Sequence, residues 1–231
     1  NTTGDQNTAV GRAALNGNST GSNNVAVGVS ALIDNTTGHS NVAVGHTSLF
    51  VNTTGISNTA VGASALDANT TASNNTAVGT SALGANTTGY DNVAVGRNAL
   101  DANIGGHSNT ALGESSLTSN TTGIRNVAVG QNALAINSTG GSNVAVGRGA
   151  LDANTTASNN TAVGDLAASA LTTGAANVAI GTNALAASTT GARNTIVGVD
   201  SSNQISSGSD NTAVGYDSLT RCTTGGSNTC I

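Results

Sequence analysis

Proline, methionine, tryptophan and lysine are absent from these 231 residues, Phe occurs once and Tyr twice. Charged side chains make up 7% of the chain, against roughly 25% in ordinary soluble domains. A globule of this length fills its interior with large aliphatic and aromatic groups. Here the apolar residues are mostly Ala and Val, so any interior must be thin. With six basic residues and a net charge of −5, the basic footprint of a nucleic-acid binder is missing. No apolar run approaches the roughly 20 residues of a membrane-spanning helix, so no membrane insertion is expected of this segment. The chain opens at Asn1 in mid-repeat, and it reads as a fragment of a longer, mature chain.

What is present is a repeat. Gly stands at 11, 28, 45, 62, 79, 96, 113, 130, 147, 164, 181, 198 and 215, every step 17 residues, with no insertion or deletion. Asn keeps the same phase, from Asn7, Asn24, Asn41 and Asn58 to Asn211 and Asn228. The unit reads Asn-(Thr/Val)-Ala-Val-Gly-x-x-(Ala/Ser)-Leu-x-x-Asn-Thr-Thr-Gly-x-x. The block Leu66 to Gly79 recurs verbatim at Leu151 to Gly164, which points to recent duplication. A period of 17 is too short for a helical pair, and β-branched residues bounded by Gly and Asn mark a short strand and a turn. The expectation is an all-β fold, a parallel β-solenoid of about 13 coils forming one array over residues 1–231. Stacked at the strand spacing of about 4.8 Å, the coils would extend roughly 65 Å.

In the strand Asn41 to Gly45, Val42 and Val44 share one face and Ala43 takes the other. The aliphatic column Val27, Val44, Val61 is expected inside with the Leu column Leu32, Leu49, Leu66. The Ala43 face is then expected outside, where a second copy of the chain would cover it. One Val and one Leu per coil return little against the cost of ordering 17 residues. A homo-oligomer, a trimer, is therefore expected. Gly28, Gly45 and Gly62 are read as corners, and the Asn24, Asn41, Asn58 column as a turn-capping ladder rather than a binding row.

The phrase Asn-Val-Ala-Val-Gly-x-x-(Ala/Ser), as in Asn41 to Ser48, resembles the head repeat of trimeric autotransporter adhesins. The longer unit with Asn-Thr-Thr-Gly is similar to arrays in phage tail-fibre-like and bacterial surface proteins. The resemblance covers nearly the whole chain, although the adhesin head repeat is shorter. It implies a left-handed parallel β-roll trimer outside a cell or on a virion, acting in attachment or as a spacer.

Several features are weighed as sites. The Thr-Thr ladder (Thr36, Thr53, Thr87, Thr121) would bind ice if two outward Thr columns formed, yet Thr8, Thr59 and Thr76 alternate irregularly with Val25, Val42 and Val93. The plainer reading is a hydrogen-bonding ladder at a corner. Sequons at Asn18, Asn35, Asn52, Asn69, Asn86, Asn120, Asn137 and Asn154 follow from the repeat, and stacked glycans would crowd. Variable positions, which include His39, His46, Phe50, Tyr90, His107 and Tyr216, are expected to face out. Phe50, Tyr90 and Tyr216 are candidate contacts for a receptor or cell-surface glycan. His39 and His107 lie four coils apart, about 19 Å, too far to share a metal. Cys222 and Cys230, both in the terminal coil 216–231, could pair within the chain or between chains in an oxidising compartment. No phosphate loop, Cys/His cluster or repeated carboxylate pair is present, so no catalysis, cofactor or metal is expected. The leading expectation is an extracellular structural or adhesive fibre segment; its rival is an ice-binding solenoid using the Thr-Thr face.

Overall fold

The structure is a computed structural model that describes residues 1–220 and 223–231. The chain forms two compact units, Asn1–Glu114 and Ser115–Ile231. Both are stacks of 17-residue coils with one short strand per coil: an all-β parallel solenoid. The first unit carries β1 (Thr8–Val10), β2 (Val25–Val27), β3 (Val42–Val44), β4 (Thr59–Val61), β5 (Thr76–Val78), β6 (Val93–Val95) and β7 (Thr110–Leu112). The second carries β8 (Val127–Val129), β9 (Val144–Val146), β10 (Thr161–Val163), β11 (Val178–Ile180), β12 (Thr195–Val197), β13 (Thr212–Val214) and β14 (Thr229–Cys230).

Within each unit consecutive strands pair in parallel without slippage. Ala26 lies opposite Ala43 and Ala43 opposite Ala60 in the first unit, and Ala145 lies opposite Ala162 in the second. Neighbouring Gly45 and Gly62 are correspondingly adjacent. Gly45 has φ +139°, and a Cβ on it would run into the carbonyl of Gly62. That column therefore needs Gly for two reasons, its torsion and the close approach of the next coil.

The strand is three residues long, and most of each coil is turn. Three positions per coil adopt left-handed torsions, non-glycine in all but Gly149, for example Thr47 (φ 52°), Leu49 (φ 49°) and Ser57 (φ 56°). Such torsions cost an L-residue about 1–2 kcal/mol. They turn the backbone N–H groups onto adjacent coils, which offsets the cost. Thr47 N–H reaches back to the Val29 carbonyl (3.0 Å), Leu49 N–H reaches forward to Ala65 (2.9 Å), and Ser57 N–H reaches back to His39 (3.1 Å). The turns, like the strands, are thus laddered from coil to coil.

The interior reverses the expected orientation of the strand. Ala43 and Leu49 are completely buried, whereas Val42 and Val44 point outward and are half-buried. Val27 and Val61 are likewise half-buried on the outside. The reason is width. Leu49, Ser48 and the paired side chains of Asn41 and Asn52 already occupy the interior of the coil. Only a methyl fits opposite them, so Ala faces in and the β-branched residues face out.

Candidate functional site

Two Asn columns run inside each unit, and both are buried rather than displayed. In the first column the N–H of Asn41 donates to Oδ1 of Asn24 (3.0 Å), and Asn24 Nδ2 donates to the Gly38 carbonyl (2.9 Å). In the second, Asn35 Nδ2 donates to that same carbonyl (2.9 Å) and to Oδ1 of Asn18 (2.7 Å). Within each unit, from Asn18 to Asn154, the coils are thus cross-braced on one carbonyl by two amides; Leu171, Ser188 and Ile205 interrupt the second column, while the first continues through Asn160, Asn177 and Asn194. Asn58 continues the first column through Asn41. The sequon residues Asn35, Asn52, Asn69, Asn86, Asn120, Asn137 and Asn154 are all 0% exposed and Asn18 is 2% exposed. Their amides face the interior, away from any modifying enzyme.

The Thr-Thr pairs divide their labour. The first Thr donates its hydroxyl along the stack: Thr36 Oγ1 to the Thr53 carbonyl (2.9 Å), Thr53 to Thr70 (3.1 Å), Thr87 to Ile104 (3.2 Å) and Thr121 to Ser138 (3.0 Å). The second Thr is exposed, as at Thr37, Thr54 and Thr122, while the first is half-buried at Thr53, Thr87 and Thr121 and exposed at Thr36. The ladder therefore offers one outward column in each unit, Thr in most coils and interrupted by Gly105 and Ser207.

The broadest regular surface on each unit is the outer strand face. It has two columns, one alternating Thr and Val (Val42, Thr59, Thr76, Val93) and one aliphatic (Val44, Val61, Val78, Val95). Leu112 is 47% exposed there in the first unit and Ile180 39% in the second. No charged side chain stands in either column. The chain's regularity could have revealed this face, because a nearly invariant Ala marks a tightly limited interior and Thr/Val exchange marks contact with water.

Outside the strand face, chemistry is sparse. Arg97 pairs with Glu114 in the first unit, and Arg148 pairs with Asp165 (2.8 Å) and Arg193 with Asp210 (2.6 Å) in the second; all are exposed. Each links one coil to the next and contributes little individually. Asp67 and Asp101 flank Gly84, whose added Cβ would lie 3.7 Å from Asp67 Oδ1 and 2.6 Å from Asp101 Oδ1. Partial burial raises both carboxyls above the ordinary value, and for Asp67 the charge of Asp101 adds to it. In the second unit a shallow groove of about 500 Å³ is lined by Ile136, Asp152, Leu166 and Ser169. Burial likewise raises Asp152, against opposing backbone hydrogen bonds from Ala153 and its own N–H. Among the described residues no group of three His, Cys, Asp or Glu side chains gathers as a metal would require. No helix among them is long and apolar enough to cross a membrane.

Of the aromatic candidates, Phe50 is half-buried, Tyr90 is 45% exposed and Tyr216 is 73% exposed. Tyr90 stacks on His107 of the next coil, with ring centroids 4.5 Å apart and planes 7° from parallel. His39 lies elsewhere in the same column. Cys230 is half-buried in β14, and Cys222 lies outside the described residues. No protein-family model and no curated protein matches the chain.

Proposed function

We propose that this chain is a segment of an extracellular fibre, on a cell surface or virion, that self-associates and makes surface contacts by shape and repetition rather than by catalysis. The observation that carries the reading is the outer strand face, two uncharged columns of side chains, β-branched except at Leu112, repeated along each unit. A face of that kind is expensive to leave in water and is shaped to pack on its own copy. Three copies, each a left-handed coil with this face turned to a common axis, would bury the columns and leave the variable turns outward. The resemblance to trimeric adhesin heads supports the same arrangement. The Thr-Thr ice-binding reading is the weaker, since one hydroxyl of each pair is committed along the stack.

Sedimentation equilibrium tests this directly. The expected mass is three times the 22.1 kDa of one chain. Val61→Asp with Val78→Asp should reduce it to a single chain with an unchanged far-UV spectrum. A wild-type chain that stays single at high micromolar concentration refutes the assembly.

A further inference from the structure

In the first unit, Ile56, Ser73, Tyr90 and His107 follow one another along one outward column, one per coil. The Tyr90 and His107 rings stack with centroids 4.5 Å apart and planes 7° from parallel, so their faces point along the column. His107 covers one face of Tyr90. The other face turns toward Ser73, and Ser73 does not fill the space: its hydroxyl accepts the Ile56 N–H (3.1 Å) and is folded toward the preceding coil. A short side chain at Ser73, between Ile56 and the Tyr90 ring two coil spacings or about 9.6 Å apart, implies an opening one coil deep between them.

The rim of this opening is polar. Asn74, Asp91 and Thr71 are exposed beside it. The N–H of Asn74 donates to the Ile56 carbonyl (3.1 Å) and that of Asp91 to the Ser73 carbonyl (3.3 Å), which holds the backbone at both residues. An aromatic face with amide, carboxylate and hydroxyl groups at its edge is suited to a ring that is apolar on one face and hydroxylated around its circumference. A pyranose ring has this character. Asp91 and the net charge of −5 disfavour an acidic sugar.

We propose that the opening between Ile56 and Tyr90 is a subsite for one neutral pyranose ring of a glycan. The proposal deepens the surface-contact reading and rests on it, but its test does not depend on assembly. With no Trp and only two Tyr in the chain, a Tyr216→Phe background makes intrinsic emission a reporter of Tyr90. Methyl glycosides of glucose, galactose, mannose and N-acetylglucosamine are titrated into this full-length chain. At least one should give a saturable change in the millimolar range expected of a single-ring contact. Ser73→Phe, in a column that already holds Ile56 and Tyr90, should fill the opening and weaken binding at least tenfold. Saturation-transfer NMR on Tyr90→Ala should show the same loss. The absence of a saturable response to all four glycosides, or a response unchanged in Ser73→Phe, overturns the subsite. Sedimentation of the same samples separates the two claims: sugar binding by a single chain retains the subsite and sinks the trimer.

Discussion

The buried side-chain oxygen of Asn154 has no hydrogen-bond donor, and Leu171 occupies the place in the next coil where a donor belongs. Earlier in this column each coil offers an amide to the one before: Asn137 Nδ2 to Asn120 Oδ1 (2.9 Å) and Asn154 Nδ2 to Asn137 Oδ1 (2.8 Å). Leu171 ends the chain of amides. The same coil has Ala168 where the Leu column would place a Leu, so the large side chain has moved from one interior site to the other. Ile205 with Ser202 repeats the exchange two coils on. Interior volume per coil is conserved while hydrogen bonding is not.

This relationship predicts strong coupling. Ala168→Leu alone should overpack the coil and cost about 1–3 kcal/mol. Leu171→Asn alone supplies the missing donor but opens a void beside Ala168. Together they should restore the common pattern and leave the chain more stable than the parent by about 1 kcal/mol or more, the cost of an unsatisfied buried group. Urea unfolding of the four proteins reads the cycle. Additive effects would show that the two positions do not share space.

The reversed strand is tested by a pair of substitutions. Ala43→Val pushes a larger group into a full interior and should cost about 1–3 kcal/mol. Val42→Thr lies outside, in a column that already alternates these residues, and should change stability by less than about 0.5 kcal/mol. A larger cost for Val42→Thr than for Ala43→Val would place the two faces the other way round.

The buried amides predict that the sequons are silent once the chain has folded. Refolded protein offered to an oligosaccharyltransferase should remain unmodified by mass spectrometry. Asn52→Ala should cost about 1–3 kcal/mol, because it strips a donor from Asn35 Oδ1 and from the Gly55 carbonyl. Glycan on folded protein at Asn52 would contradict the interior ladder.

How much of this was legible in the residues can be argued from the columns. The 17-residue step and the constant Gly45 and Gly62 columns impose the stacked coil, since an unbroken period admits no other registration. The direction of Val44 does not follow from alternation, which says which residues share a face but not which face has room; the signal lay in the near-constant Ala43 column and in the Thr/Val exchange at Val42. The left-handed torsion at Leu49 was hidden too, since Leu rarely takes it and nothing local requires it; the pairing of its N–H with the next coil does. The Tyr90–His107 stack follows from their shared column, a signal present in the 17-residue spacing between them.

Acid should act oppositely on two groups of carboxylates. Asp67 and Asp101 have folded-state values raised above 3.8, chiefly by burial. They therefore add stability below that value and lose it as pH rises through the raised folded value. Asp67→Asn and Asp101→Asn should accordingly raise the melting temperature at neutral pH and leave it nearly unchanged in strong acid. Asp210 is held below the ordinary value by its hydrogen bond from Arg193, so its small contribution is present above 3.8 and fades as pH falls. Thermal melts across this range decide the matter; a lower melting temperature for Asp67→Asn at neutral pH would refute the assignment.

A regular outward Thr column invites a direct assay for ice. With the first hydroxyl of each pair donated along the stack, thermal hysteresis at micromolar concentration should be absent. Appreciable hysteresis that disappears with Thr37→Lys and Thr54→Lys would promote the ice-binding reading over the fibre.

Because the bonded turn N–H groups reach either a carbonyl of their own coil, as Asn52 reaches Leu49, or the coil immediately before or after, a coil's obligations end with its two neighbours. Inserting or excising one whole 17-residue segment within a unit therefore leaves each surviving coil with equivalent partners. The verbatim block at Leu66 to Gly79 and Leu151 to Gly164 is what such tolerance permits at the level of the gene: length can be gained or shed by slippage in whole periods, with selection free to set the reach of the protein independently of its fold.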